Sequence, residues 1–315
     1  MNNYESINDY EIIKPILEEQ IKDDALKSRL LSLGISLEQL IEKEINNLKA
    51  NNTKIISNEN NLGFISFIEK PWESGIFDKK MASIQAIGYK TFDEELVGKL
   101  FEFVFEQIKE KSIEHLSMRI NPKIAEEINF FLEENDFHLI ERYVTFINDL
   151  ENVSENELDL NDIKIYDSDE KVIGLICEIA KSSFTLDRFH ADQKIDNSKA
   201  SISRSEWIKN LANGRGKVIY GLSSDEVTSF LGFREIVSSY SVKYGVIELI
   251  AVEAKFRGKG FGTKMINKFL LESKKSGCKF SIVGTQEKNE ASIKLYEKNN
   301  FSQLKTNLTF HWSKD

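Results

Sequence analysis

A chain of 315 residues, 41% hydrophobic and 30% charged, carries enough apolar material for a packed core and is long enough for two domains. Its 51 acidic against 42 basic residues leave a net charge of -9, which argues against a general nucleic-acid binder. The two cysteines, Cys177 and Cys278, are too few for a disulfide framework or a CxxC metal site. No apolar run reaches the length of a membrane span, and Met1–Glu5 lacks the basic start of a signal peptide, so the expected setting is cytoplasmic.

Residues 1–52 read as a helical extension. Tyr10, Ile13, Ile16 and Leu17 recur at helical spacing, Gly34 marks a stop, and Ser36 with Gln39 forms a capping box before Leu37, Leu40, Ile41, Ile45 and Leu48. These helices suit packing or self-association, so a homodimer is one expectation. Residues 53–150 then read as short strands (54–57, 62–69, 80–88), a helix over 92–111, a strand at 115–120, a helix over 122–134 and strands to 150. The acidic stretch 151–162 is an expected linker. In residues 163–315 a helix is predicted over 172–182, with a polar, irregular stretch over 184–205 leading to a short helix near 206–211. Strands are predicted at 217–222, 229–237, 246–252, 279–283 and 304–312, and helices at 262–276 and 292–299. The class is α/β (α+β).

One segment resembles another within the chain. Phe131-Leu132-Glu133-Glu134-Asn135-Asp136-Phe137 precedes Leu295-Tyr296-Glu297-Lys298-Asn299-Asn300-Phe301 by 164 residues, and Thr145-Phe146 and Thr309-Phe310 follow at the same offset. Two copies of one α/β unit, the first drifted, would give this echo; so would chance similarity between amphipathic helices. Leu132 stands where the second copy has Tyr296.

The strand ending at Val252 runs into Glu253-Ala254-Lys255-Phe256-Arg257-Gly258-Lys259-Gly260-Phe261-Gly262-Thr263. Three glycines in five residues allow a sharp bend, and backbone N–H groups at the head of the following helix make an anion site. From Ile250 to Lys279 there are eight Lys/Arg and two Asp/Glu, a basic island in an acidic protein. A polyanionic small ligand fits it. A dinucleotide fingerprint would need Gly at 263, where this chain has Thr, and no phosphate loop of the GxxxxGK type is present.

The remaining pattern, Arg257-x-x-Gly260-x-Gly262, resembles the pyrophosphate-binding motif of GNAT-family N-acyltransferases. Asn289-x-x-Ser292-x-x-Leu295-Tyr296-Glu297-x-x-Asn300-Phe301 resembles the family's last motif, with Asn300 in place of its usual Gly. The resemblance covers residues 163–315, and the internal echo extends it, in an incomplete GNAT-like form, to 53–150. It implies a mixed sheet flanked by helices and acetyl-CoA or another short acyl-CoA as co-substrate. A narrower resemblance links Pro71-Trp72-Glu73-Ser74, Phe77, Phe184, Asp187–Asp192 and Glu206-Trp207-Ile208 to the dTDP-fucosamine acetyltransferase family. That family acylates the amine of a nucleotide-linked aminodideoxygalactose in surface-polysaccharide synthesis. Other amines (a peptide N-terminus, an antibiotic, a polyamine) and a non-catalytic acyl-CoA binder stay open as alternatives.

The resemblance implies the site. Gly258–Thr263, with Arg257 and Lys259, would hold the diphosphate, and the pantetheine arm would run along Ile250, Ala251 and Val252 where that strand splays from its neighbour. Phe261, Asn289 and Ser292 belong to the same cofactor wall. Tyr296 is the expected general acid, since a phenol is protonated at neutral pH. Glu248, placed on the face of Val252 by simple alternation, and His190 compete for general base. Trp72, Asp187, Arg188, Phe189, His190 and Asp192 are expected to contact the sugar nucleotide. His115, His138 and His311 show no ligand spacing, and no metal is expected.

Overall fold

A computed structural model describes residues 4–151, 153, 159–238 and 241–314. The elements in chain order begin with β1 (Glu5–Ile7), α1 (Lys14–Asp23), α2 (Ala25–Ser32), α3 (Leu37–Ala50), β2 (Asn52–Ser57) and β3 (Leu62–Glu69). Then come α4 (Pro71–Phe77), β4 (Met81–Tyr89), α5 (Glu94–Lys111), β5 (His115–Ile120), α6 (Pro122–Glu127), α7 (Asn129–Glu134) and β6 (His138–Asn148). The second half holds β7 (Ile163–Ile165), α8 (Glu170–Ser183), α9 (Asn197–Asn210), β8 (Lys217–Ser223), β9 (Glu226–Val237) and β10 (Lys243–Val252). It closes with α10 (Phe261–Lys275), β11 (Ser281–Gln286), α11 (Glu290–Lys298) and β12 (Ser302–Ser313). No described helix is long and apolar enough to cross a membrane.

The chain divides into two compact units, residues 1–142 with 306–315, and residues 143–305. This differs from the expected segments 1–52, 53–150 and 163–315: residues 143–150, expected to end the first half, belong to the second unit, and residues 306–315, expected to end the second half, belong to the first. In the first unit β1 to β5 lie in sequence order, and Leu308–Ser313 of β12 pairs antiparallel with β5. In the second, β7 to β11 do the same, and Tyr143–Asn148 of β6 pairs antiparallel with β11. Among the described residues, β4 pairs parallel with β5 in the first unit and β10 with β11 in the second. Half of the expected 151–162 linker, residues 152 and 154–158, lies outside the described residues.

The internal echo is structural. In the first unit the N–H of Phe137 donates to the carbonyl of Leu132 (2.9 Å) and that of Asp136 to Glu133; in the second, Phe301 donates to Tyr296 (3.1 Å) and Asn300 to Glu297. Asp136 (φ 58°) and Asn300 (φ 60°) are both left-handed, so Asn300 does the work of the glycine expected there. The copies part at the helix that follows each unit's fourth strand. Asp93 caps α5 by accepting from the Leu96 N–H (2.8 Å), with Glu94 and Glu95 in the first turn. Those carboxylates satisfy and repel at the place where an anion would sit.

Helix α3 begins at the expected capping box: Ser36 accepts from the Gln39 N–H, and the Gln39 side chain accepts from the Ser36 N–H. In the second unit the sheet is covered on both faces. Phe261, Met265, Ile266 and Phe269 of α10 pack with Leu231, Phe233 and Ile247 on one side. Ile176 and Ala180 of α8 and Ile208 of α9 pack with Phe230, Leu249 and Ala251 on the other. Phe230 and Phe233, three apart on β9, are fully buried on opposite faces. Burial stabilises each by about 2–3 kcal/mol.

Candidate functional site

The site grows from a defect in strand pairing. β10 is hydrogen-bonded to β9 along its length, yet runs parallel to β11 only over Gly245–Ile247, paired with Ser281–Val283. β11 continues beside β6 as far as Gln286. Beyond Ile247 and Val283 the strands therefore part. This leaves the 248–252 edge of β10 as unpaired backbone that an extended amide-bearing ligand can join.

A bulge sits at the mouth of the opening. Ile247 faces Phe233 of β9 and Leu249 faces Gly232, so Glu248 is the extra residue. The bulge changes the phase of the strand. After it, Ile250 and Val252 pack toward α10, whereas Leu249 and Ala251 join the α8–α9 side. Glu248 also turns to the α8–α9 side, where Trp207 Nε1 of α9 donates to Oε2 (2.8 Å) and Arg234 Nε donates to Oε1 (2.5 Å). The expectation that Glu248 and Val252 share a face is thus corrected, since simple alternation does not survive the extra residue. The Glu248 side chain is 5% exposed, and both its oxygens are engaged.

The glycine turn follows β10. After a single 3₁₀ turn at Ala254–Phe256, Gly258 (φ 76°) and Gly260 (φ 88°) adopt left-handed backbone. A Cβ at either would touch nothing, so these glycines serve conformation and not space. Gly262 is needed for a different reason: its Cβ would lie 3.1 Å from Leu295 of α11. Gly260 is the N-cap of α10 and provides no side-chain acceptor, so the first-turn N–H groups of Phe261, Gly262 and Thr263 are open donors.

Around this turn Lys255 pairs with Glu226, and Lys264 with Asp162 (2.9 Å). Arg257 and Lys259 are exposed and have no carboxylate partner among the described residues. Arg257 Nε donates to the terminal carbonyl of β10, on Val252 (3.1 Å), and Lys259 Nζ lies 5.0 Å from the Phe256 ring centroid. Farther along α10, a polar cleft of about 440 Å³ includes Thr263, Asn267, Asn148 and Lys298 in its walls. Open donors, two unneutralised cations and an adjoining polar cleft together fit a nucleotide-linked diphosphate.

Tyr296 stands on α11, which Asn289 caps by accepting from the Ser292 N–H (3.2 Å). Its ring packs between Phe146 and Phe301, with centroids 5.8 and 6.0 Å away, and the residue is 2% exposed. Burial pushes its hydroxyl well above the ordinary phenol range, with the Tyr143 phenol adding to the shift and a hydrogen bond with Ser292 opposing it. The group is therefore protonated at any working pH.

The loop between α8 and α9 is organised by Asp187. It accepts from Arg204 (2.6 Å), from the Phe189 N–H (3.0 Å) and from His190 Nδ1 (2.5 Å), while His190 Nε2 reaches Ser201 Oγ (3.2 Å). Burial alone would raise the Asp187 carboxyl; the His190 hydrogen bond and the Arg204 charge more than offset it and hold it well below the usual range. Arg204 is ringed by Phe184, Phe189 and Trp207, at 6.0, 5.7 and 5.4 Å from their ring centroids. Glu248, Trp207, Arg204, Asp187 and His190 thus form one connected chain of side chains, which joins the two candidate bases.

Asp187, Phe189 and Asp192 are buried, and Asp192 accepts from the Lys194 N–H (2.9 Å). These aspartates hold the loop. Arg188 lies over the Phe189 ring (4.4 Å). Trp72 lies on α4 in the first unit, outside the unit that carries the other residues. Sequence reading missed Arg234 as the partner of Glu248, and it missed Tyr143. The one signal for the latter was Gly284, a glycine inside a strand.

Residues 165–301 match the model of the acetyltransferase (GNAT) family. That stretch, under half of the chain, is similar to a GNAT domain. Over 137 residues the chain is 28% identical to the spore coat polysaccharide biosynthesis protein SpsD of Bacillus subtilis, a match that spans 43% of this chain and about half (46%) of that protein. Among solved structures, a GCN5-related N-acetyltransferase from Sphaerobacter thermophilus aligns over 93% of this chain and 92% of its own, with a TM-score of 0.59 and 9% identity. A tandem GNAT protein from the clavulanic acid biosynthesis pathway aligns over 99% and 98% (TM-score 0.56, 9% identity). The glucosamine N-acetyltransferase region of a fungal GH3 β-N-acetylglucosaminidase covers 99% of this chain and 38% of that one (TM-score 0.61, 10% identity). At these identities the likeness establishes the GNAT fold.

Proposed function

We propose that this protein transfers a short acyl group from acyl-CoA to the amine of a nucleotide-linked aminodeoxy sugar. The observation that carries the acyl-CoA half is the uncapped glycine turn of α10 directly after a strand that has parted from its neighbour. The turn presents donors to a diphosphate, and the parted edge, residues 250–252, presents backbone to the amides of a pantetheine arm. The sugar half rests on the narrower sequence resemblance and on the match to a polysaccharide biosynthesis protein.

In this reading the amine attacks the thioester carbon on the α8–α9 side of the opening. Tyr296, protonated and close to the splay, gives its proton to the departing sulfur. His190 is the base candidate of this reading: Asp187 orients its imidazole through Nδ1 and its Nε2 meets only the neutral Ser201 hydroxyl, whereas both Glu248 oxygens are held by the Arg234 guanidinium and the Trp207 indole. Glu248 then orients Trp207 and Arg234 along the acceptor side. The test is thiol release from acetyl-CoA and short hydroxyacyl-CoAs with a panel of dTDP-linked amino sugars, peptides and polyamines. Release with a dTDP-amino sugar at the highest kcat/KM supports the reading, and release only with a peptide or polyamine refutes its sugar half.

A further inference from the structure

On the acyl-transfer reading above, we infer that Tyr143 is a further catalytic residue, whose hydroxyl is held in the strand opening by Gly284 and hydrogen-bonds the departing sulfur beside Tyr296. Tyr143 is on β6, opposite Gln286 in register with β11. A Cβ added at Gly284 would overlap the Tyr143 hydroxyl first and then its ring. The phenol therefore lies directly on the Gly284 backbone, and only glycine at 284 admits it there. Gly284 follows Val283, the last β11 residue paired with β10, so it is the first residue of the gap. A side chain resting on it stands where a thioester threaded into the gap would pass.

The neighbouring residues support the assignment. Val144 and Phe146 of β6 point into the α10 core, so Tyr143 projects toward the other sheet face, the side of Glu248 and Trp207. Tyr296 and Tyr143 are close enough to influence each other electrostatically. They differ in access: Tyr296 is sealed at 2% exposure, whereas Tyr143 is half-buried. Two phenols thus flank the gap, one enclosed and one open to it.

The chemistry balances with the residues present. The C–N bond forms as the C–S bond breaks, and the C–S electron pair stays on sulfur. Tyr296 supplies the proton to sulfur while Tyr143 donates a hydrogen bond to it. The surplus amine proton leaves through the base to solvent, and Tyr296 regains its proton from water that enters the gap once the thiol has left.

Steady-state thiol release and thermal melting of the full chain test the assignment, with Tyr143→Phe as the principal variant and Gly284→Ala as the second. Removing one preorganised donor lowers kcat by about 10², while KM for acyl-CoA moves by less than about threefold, since the donor acts in the transition state. Tyr143→Phe keeps the ring, so its melting temperature stays near that of the unmodified protein. Gly284→Ala displaces the hydroxyl and lowers kcat similarly, and combining it with Tyr143→Ala adds no further loss to that of Tyr143→Ala alone. A Tyr143→Phe variant with unchanged kcat, or with a change confined to KM, overturns this assignment and leaves the acyl-transfer reading standing. An unmodified protein that releases no thiol with any acceptor overturns both.

Discussion

Replacing Arg257 by alanine isolates the electrostatic part of the proposed anion site. The side chain is exposed, its Nε holds only the Val252 carbonyl, and no carboxylate among the described residues neutralises it. A unit charge about 4 Å from a diphosphate oxygen is worth about 1 kcal/mol per charge in water, and a diphosphate carries about two charges within reach. The expected loss is therefore about 1–2 kcal/mol, or roughly 5- to 30-fold in the dissociation constant for acetyl-CoA. At 1 M salt the screening length contracts to about 3 Å, so the difference should shrink to about twofold or less. Isothermal titration at 0.05, 0.15 and 1 M salt reads this directly. Lys294→Ala is the control, because Lys294 lies on exposed α11 surface and already pairs with Glu290 (3.1 Å). Equal affinities for Arg257→Ala and the parent at low salt, or an equal loss at every salt concentration, would refute the placement of the diphosphate beside Arg257.

Further expectations concern the other parts of the site. Tyr296→Phe should slow turnover by roughly 10²–10⁴ with acyl-CoA affinity unchanged. The raised Tyr296 hydroxyl predicts no loss of activity from its ionisation below about pH 10; an alkaline limb below that pH in the parent that vanishes in Tyr296→Phe would contradict it. Asp187→Asn breaks a buried ion pair and should cost about 3 kcal/mol at pH 7 by urea unfolding. Because the folded Asp187 carboxyl lies below its ordinary value, its stabilisation is fully present above about pH 4 and fades as the pH falls toward the folded value. The gap between parent and Asp187→Asn should therefore narrow in acid, and a gap that widens would refute the sign. Asn300→Ala should cost about 1–2 kcal/mol for its left-handed backbone, and Asn300→Gly should cost nothing; identical melting temperatures for the two would show that the αL cap is not limiting.

Much of the backbone around the candidate site was readable because it answers local demands. Gly258, Gly260 and Asn300 sit at left-handed positions, and such positions announce themselves by residue type. The capping box at Ser36 and Gln39 is equally local. The echo between 131–137 and 295–301 returns as matching hydrogen bonds at the two helix ends. What stayed hidden depends on long-range pairing. Nothing in residues 302–313 says that their end closes the first unit's sheet, and the same holds for residues 143–148 in the second. The bulge at Glu248 leaves no mark in an apolar strand, so alternation assigned that side chain to the wrong face. Helix α9 was read too short because its buried positions include Ser203 and Arg204, which break the apolar stripe that a helix normally shows. Arg204 is buried there through the carboxylate of Asp187 and three aromatic rings. Tyr143 needed the β6–β11 register before it could be placed above Gly284.

Amide hydrogen exchange of the full chain, with and without saturating acetyl-CoA, tests the central claim most directly. The account predicts protection concentrated in residues 258–264 and along 250–252, because those backbone groups pass from solvent to the diphosphate and the pantetheine amides. Protection confined to other segments, or no change at the α10 turn at a ligand concentration that saturates the enzyme, would contradict it.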